Sequence, residues 1–163
     1  MVLHPAARWR TKLWETGRWR ALAAALLAEG AGVLLTGGDA DGALAAEIGA
    51  GLDPAPLSLV GRLSLKELAA VLGGSDLMVS VDSGPMHMAA AMGTPVVALF
   101  GPTDPRRTGP LGAGSVLQRP LPCSPCLQRR CRIADVHRCM RDLGVAEVLT
   151  AVRALLPTRA PVG

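Results

Sequence analysis

The chain has few aromatic residues and almost no lysines. Its 163 residues include one Phe, no Tyr and three Trp. Proteins that bind single-stranded nucleic acid stack its bases on aromatic side chains, so this composition argues against such a partner. Lys12 and Lys66 are the only lysines among 17 basic residues, and the net charge of +4 predicts a solvated basic surface. Trp9, Trp14 and Trp19 are expected to pack a loop and a helix onto the core.

Long apolar runs and a secretion signal are also missing. Met1 leads into an Arg-rich segment, without the apolar core and small-residue cleavage site of a signal peptide. No uninterrupted apolar run has the length of a membrane-spanning helix. Half of the residues are hydrophobic, so the chain is expected to form a single globular domain over residues 1–163. We expect a cytoplasmic protein, and peripheral contact with the inner face of a membrane stays open.

Short apolar runs alternate with helix-favouring segments along the chain. Strands are predicted near residues 2–4, 32–36, 57–60, 77–81 and 96–100. Helices are predicted at 19–29, from 42 through 48, at 65–72, from 85 and at 145–156, whereas 106–122 is predicted as loop. This alternation predicts an α/β fold, a Rossmann-like parallel sheet with helices on both faces.

The stretch from Leu77 to Pro102 contains a strand, a tight turn, a helix and a second strand. Pro85 is predicted at the first helical position, Ser83 as the N-cap and Gly93 as the end of the helix. Gly84 lets the backbone come close to a ligand. The turn lies at the carboxyl end of a parallel strand, where open α/β sheets bind ligands.

The start of this helix is suited to a phosphate group. Unpaired N–H groups around residues 84–87 point out of the first turn, and the helix dipole favours an anion there. His87 lies in that turn and could donate to a phosphate oxygen. Asp82 is negative, so it is expected to accept hydrogen bonds from sugar hydroxyls or from N–H groups of the turn.

Two further strand ends carry candidate binding residues. Gly37 follows the strand at 32–36 and predicts a second close approach of the backbone to a ligand, while Asp39 is predicted to cap the next helix. Thr103 follows the strand at 96–100. It either donates to a phosphate or sugar oxygen or serves as an ordinary turn hydroxyl.

Residues 82–105, DSGPMHMAAAMGTPVVALFGPTDP, resemble the signature of glycosyltransferase family 9, the ADP-heptose:lipopolysaccharide heptosyltransferases. The pattern is Asp-Ser/Thr-Gly-x-x-His, then an Ala-rich helix, a strand and Gly-Pro-Thr-x-Pro. The resemblance runs from about Leu3 to about Leu149. It implies the GT-B architecture, in which two Rossmann-like domains enclose the active site, and this chain resembles the C-terminal, donor-binding domain.

The resemblance also implies roles for individual residues. Lys12 would contact the donor's phosphates and stabilise the charge on the leaving diphosphate; without the resemblance, it would be read as a surface lysine. Asp41 is the best match for an acidic residue that meets the ribose. The rest of the implied donor site comprises Gly37, Asp82, Ser83, Gly84, Met86, His87 and Thr103. Transfer would proceed by direct displacement with inversion and without a cofactor.

The implied partners are ADP-heptose or a related nucleotide sugar and, through an N-terminal domain, the lipopolysaccharide core. The base that activates the acceptor is absent from this chain, so the chain is expected to be inactive alone. The alternative is a non-catalytic nucleotide-binding or protein-interaction module. A dinucleotide oxidoreductase is disfavoured, because Gly37-Gly38 is not a Gly-x-Gly-x-x-Gly motif.

Four cysteines lie in a Cys-rich loop at 121–141, with the spacing C-x2-C-x4-C-x7-C: Cys123, Cys126, Cys131 and Cys139. The family resembled here often carries a similar segment. The first pair has the spacing of a zinc knuckle, whereas the later gaps match no standard zinc ribbon. A structural zinc ion and metal-free, reduced or partly oxidised thiols both stay open. Neither requires a catalytic role.

Overall fold

The computed structural model describes residues 1–134 and 136–156, which form a parallel sheet flanked by helices. Its strands are β1 (Val2–His4), β2 (Leu34–Leu35), β3 (Leu57–Ser58), β4 (Met78–Val81), β5 (Val96–Phe100) and β6 (Gly114–Gln118). They are arranged in the order β3-β2-β1-β4-β5-β6, and all neighbours are parallel. The predicted Rossmann-like α/β class is confirmed.

Helices connect the strands. They are α1 (Thr16–Ala28), α2 (Gly42–Gly49), α3 (Leu65–Gly73), α4 (Gly84–Ala91), α5 (Pro105–Thr108), α6 (Arg138–Arg141) and α7 (Val145–Leu155). Two short 3-10 turns cover Arg10–Lys12 and Asp39–Asp41. In the described ranges, no helix combines the length and the apolar character needed to cross a membrane.

The sixth strand was predicted as loop, and that prediction is wrong. β6 pairs with β5 from Val96 opposite Gly114 to Phe100 opposite Gln118. Glycine normally weakens a strand, which is why the sequence favoured loop. At Gly114, however, an added Cβ would lie 2.4 Å from the carbonyl oxygen of Val96. The missing side chain therefore allows the close backbone approach with which the pairing begins.

The sheet separates two apolar clusters. Along β5, Val97 and Leu99 face the larger cluster, whereas Val96, Ala98 and Phe100 face the smaller one. Helices α1, α2 and α7 contribute to the larger cluster, and α3 and α4 to the smaller one. Successive strand residues point to opposite faces, so both faces of β5 are covered and all five residues are buried. The prediction of helices on both faces is confirmed.

Trp14 and Trp19 anchor the first loop and α1 in the larger cluster. Their rings meet edge to face with centroids 5.2 Å apart, and both side chains are buried. The indole N–H of Trp14 donates to the carbonyl oxygen of Leu143 at 3.0 Å. These contacts tie the segment before α1 to the chain near α7, as predicted for these two tryptophans.

Helix α4 ends in a Schellman motif. The N–H of Gly93 donates to the carbonyl of Ala90 at 3.1 Å, and that of Thr94 donates to the carbonyl of Ala89 at 3.0 Å. Gly93 has a φ of +80°, a left-handed conformation that favours glycine. The helix begins at Gly84, so Pro85 occupies its second position and not the predicted first.

Replacing Gly93 with Ala is expected to destabilise the protein by about 1 kcal/mol, because Ala is disfavoured in the left-handed region. An added Cβ would meet no atom within 4 Å, so the cost comes from the backbone alone. Gly17→Ala is the matched control, since Gly17 lies in α1 with equally open space. It should be neutral or stabilising by up to about 0.5 kcal/mol. Urea unfolding measures the change in stability of both variants. Equal changes would contradict the left-handed conformation assigned to Gly93.

Candidate functional site

Several loops surround an open cavity of about 940 Å³ at the carboxyl ends of the strands. It lies beside β1 and β4, where the strand order changes direction, which is the usual ligand site of open α/β sheets. Seven of the nine residues predicted for the donor site line it: Lys12, Asp41, Asp82, Ser83, Gly84, His87 and Thr103. The other two, Gly37 and Met86, are not among the lining residues.

Asp82 and Lys12 form an ion pair at the wall of the cavity. The Lys12 Nζ lies 2.7 Å from Asp82 Oδ2, and the side chains are 17% and 6% exposed. The same carboxylate oxygen accepts the hydroxyl hydrogen of Thr103 at 2.6 Å. Residues from three loops are thus joined at one oxygen. Asp82 was expected to bind sugar or turn N–H groups, but here it holds a lysine and a threonine.

Lys12 is positioned by the 3-10 turn Arg10–Lys12 and by Trp9. The Thr11 hydroxyl donates to the carbonyl of Gln128 at 2.9 Å, which fixes the turn against the Cys-rich loop. The Lys12 ammonium lies 4.8 Å from the centroid of the Trp9 ring. Trp9 was expected to pack onto the core, but it is only partly buried and lines the cavity.

The start of α4 opens into the cavity. Ser83 occupies the N-cap position, but its hydroxyl lies 3.0 Å from that of Ser80 and caps no N–H. An added Cβ at Gly84 would meet no atom within 4 Å, so no side chain blocks the turn. The side chain of Met86 is fully buried in the smaller cluster, which leaves only its backbone N–H for a ligand. The helix start is therefore free of a side-chain cap, as an anion site requires.

Asp41 lies on the opposite side of the cavity, after β2. Its Oδ2 accepts the N–H of Gly38 at 2.8 Å, and Gly38 rather than Asp39 takes the N-cap position of the 3-10 turn. Asp39 was predicted to cap α2, but Asp41 occupies the N-cap position of that helix, so this prediction is wrong. Gly37 lies behind the wall, where an added Cβ would be 3.0 Å from Asp41 Oδ2. The missing side chain of Gly37 leaves space for the Asp41 carboxylate.

His4 lines the cavity and was not predicted as a site residue. It ends β1, is 6% exposed, and its Nδ1 lies 3.0 Å from Thr36 Oγ1. Burial lowers the pKa of His4 to about 4, and the nearby Asp41 charge opposes this only in part. The ring is therefore neutral at pH 7. Its position at a strand end is the signal that identified Asp82, and it would have identified His4 too.

Leu127 and Arg107 also line the cavity without having been predicted. The N–H of Leu127 donates to the carbonyl of Pro102 at 2.7 Å, which brings the Cys-rich loop to the end of β5. Arg107 lies in the short helix α5, whose start is capped by the Asp104 carboxylate. Leu127 carried no sequence signal, because only tertiary structure places its loop beside the site.

The four cysteines do not form a metal site in this structure. All are free and partly buried: Cys123, Cys126, Cys131 and Cys139. Burial, and next the charges of the neighbouring thiols, raise the pKa of Cys139 to about 11. Yet no group of three or more His, Cys, Asp or Glu side chains in the described ranges could hold a metal ion. A structural zinc ion and metal-free thiols therefore both stay predictions for this loop.

Comparison with known proteins decides the family. The model of glycosyltransferase family 9 (heptosyltransferase) matches residues 1–137, which is most of the chain. The chain belongs to glycosyltransferase family 9. The resemblance of residues 82–105 to that family is therefore confirmed.

Relatives of this family 9 chain include lipopolysaccharide heptosyltransferase 1 of Pseudomonas aeruginosa, 37% identical over 171 residues, or 96% of this chain and 48% of the relative. The structure of E. coli ADP-heptose lipopolysaccharide heptosyltransferase II matches with a TM-score of 0.82 and 29% identity over 94% of this chain and 45% of that one. The structure of E. coli heptosyltransferase WaaC with ADP matches with a TM-score of 0.77 and 25% identity, over 94% of this chain and 43% of that one. The chain spans about half the length of these relatives.

The buried His4 predicts acid sensitivity of the fold. The unfolded chain binds a proton near pH 6.5 that the folded chain excludes until about pH 4. The free energy of unfolding therefore has its full contribution from neutral His4 above pH 6.5. This contribution, about 3 kcal/mol in all, is lost as the pH falls toward 4. The free energy of unfolding, measured in urea, should decrease between pH 7 and pH 4.5 in the wild type and in His4→Asn. The decrease should be larger by about 2 kcal/mol in the wild type than in His4→Asn. Equal losses would refute a buried neutral imidazole.

The raised pKa of Cys139 predicts slow alkylation. At pH 8 a thiol of pKa about 11 is almost wholly protonated, and the thiolate is the nucleophile. Iodoacetamide should modify Cys139 at least tenfold more slowly in the folded protein than in urea, as followed by mass spectrometry of peptides. If all four thiols were equally protected from iodoacetamide, and if a chelator removed that protection, the result would contradict the metal-free arrangement and support the zinc interpretation.

Proposed function

We propose that this chain is the donor-binding domain of a heptosyltransferase that transfers heptose from an ADP-sugar to the lipopolysaccharide core. The observation that carries the proposal is one cavity in which Lys12 and the uncapped start of α4 face the same space. A cation and free backbone N–H groups are the chemistry that a diphosphate requires. The relatives support the ligand, since one is described with ADP and others are lipopolysaccharide heptosyltransferases.

The proposed reaction is a direct displacement at the anomeric carbon. An acceptor hydroxyl attacks, the bond to the diphosphate breaks, and ADP leaves with the bonding electron pair. Negative charge grows on the diphosphate in the transition state, and Lys12 with the start of α4 would stabilise it. The base that takes the acceptor proton would come from a second domain. Such a reaction needs no cofactor and would take place in the cytoplasm, where a peripheral membrane contact would bring the acceptor close.

Asp82 has a supporting role in this proposal. Its carboxylate holds Lys12 at 2.7 Å, and Thr103 fixes the carboxylate in turn. This pairing offsets part of the repulsion that a buried carboxylate would exert on a nearby diphosphate. Asp82 would thus keep the Lys12 ammonium in position, while the ammonium shields the ligand from the charge of Asp82.

Lys12→Ala is expected to weaken ADP binding roughly tenfold or more, because a charge-assisted bond is lost and Asp82 is left uncompensated. Asp82→Asn in the Lys12→Ala background should recover part of the loss, because the repulsive charge is then removed. Isothermal titration calorimetry of the purified chain with ADP measures all three proteins.

Lys66→Ala is the matched control, since Lys66 is the other lysine and lies exposed on α3. It should bind ADP like the wild type. Absence of ADP binding by the wild type would defeat the proposed function. Equal weakening by Lys66→Ala would show that the lysine effect is non-specific.

A further inference from the structure

His4 projects from the sheet on the side covered by α4. Val2 contributes to the smaller cluster together with Met86 of α4, and alternate residues of a strand share a face. His4 therefore points to the same side as Val2. It also lines the cavity into which the start of α4 opens. The imidazole thus lies beside the proposed diphosphate position.

The hydroxyl of Thr36 determines which nitrogen of His4 carries the proton. Thr36 is 1% exposed, and in the described ranges its hydroxyl has one hydrogen-bond partner, His4 Nδ1 at 3.0 Å. A buried hydroxyl hydrogen needs an acceptor. Nδ1 must therefore accept, which leaves the proton of the neutral ring on Nε2.

The Nε2–H of His4 is directed to the cavity. No second partner of the ring occurs among residues 1–134 and 136–156. In those ranges Trp19 Nε1 is the one side-chain nitrogen or oxygen that is fully buried without a partner. His4 Nε2 is thus not fully buried, and the side on which it stays accessible is the cavity that His4 lines.

We propose that His4 is a donor-binding residue that presents a neutral Nε2–H to a phosphate oxygen of the bound nucleoside diphosphate, with Thr36 as the positioning residue that fixes the tautomer. This assignment rests on the proposed function and adds a third donor to Lys12 and the start of α4. A neutral imidazole contributes a directed hydrogen bond without adding a further positive charge to those of Lys12 and Arg107 at the cavity.

Two substitutions separate the two sides of the ring. His4→Asn places an amide near Nδ1, so it retains a partner for Thr36 but loses the donor in the cavity. His4→Gln extends an amide N–H toward the position of Nε2. By calorimetry, His4→Asn should weaken ADP binding roughly tenfold or more, and His4→Gln by no more than about threefold. His137→Asn is the matched control, because His137 lies outside the cavity with a φ of +58° that Asn tolerates.

The ligand group is tested with adenosine. If His4 meets a phosphate, His4→Asn should change adenosine binding by less than about threefold, since that ligand has no phosphate. An equal loss for ADP and adenosine would overturn the phosphate assignment. Wild-type binding of ADP with no loss in His4→Asn would overturn the role of His4 alone, whereas no binding by the wild type would overturn the proposed function with it.

The tautomer has a readout that needs no ligand. The chain contains three histidines, so ¹⁵N NMR signals of the His4 ring are assigned by their disappearance in His4→Asn. Nε2 should be the protonated nitrogen at pH 7. Thr36→Val, which removes the hydroxyl and preserves the shape, should shift the ring toward a mixture of tautomers and weaken ADP binding less than His4→Asn does. A proton on Nδ1 in the wild type would overturn the proposal.

Discussion

The ion pair between Lys12 and Asp82 is the interaction on which the rest of the site depends. The two side chains are 17% and 6% exposed, so neither charge is well solvated, and each makes the other tolerable in that position. The pair also joins the loop after β1 to the turn after β4, and Thr103 adds the loop after β5. One carboxylate oxygen thus joins the loops that follow three neighbouring strands. The cavity keeps its shape because a charge at its wall needs these partners.

The Cys-rich loop completes the site through backbone contacts rather than through its thiols. The carbonyl of Gln128 accepts from Thr11, and the N–H of Leu127 donates to Pro102. Both bonds fix the loop against segments that carry site residues, next to Lys12 and next to Thr103. A segment with little apolar content is thus held against the site by hydrogen bonds of its backbone.

The sequence was sufficient for strands β1 to β5, for helices α1 to α4 and α7, and for the turn at Gly84, because hydrophobic periodicity and turn residues determine such features locally. The short helices α5 and α6 were not predicted. The sequence was insufficient at β6, where the close approach of Gly114 to Val96 overrides a poor strand propensity. The family resemblance predicted Lys12 and Asp82 as site residues, but not that they pair. Lys12 follows β1 and Asp82 follows β4, so the two residues are far apart in the sequence and no local pattern encodes their contact. For His4, the position at the end of a strand can be recognised from the sequence, whereas its burial is known only from the structure.

The charges around the cavity bear on catalysis as well as binding. A glycosyltransferase gains rate only from interactions that strengthen as the diphosphate departs, because equal attraction for the bound substrate and the transition state leaves the barrier between them unchanged. Arg8 and Arg107 also line the cavity but are exposed, whereas a second buried cation beside Lys12 would hold the ADP product firmly as well as the donor. Neutral His4 avoids that, since burial lowers its pKa to about 4. Asp82 further moderates the field of Lys12 at 2.7 Å. In the proposed function, the site therefore combines the partly buried, moderated cation of Lys12 and the exposed Arg8 and Arg107 with directed neutral donors, an arrangement that orients the diphosphate and still permits its release.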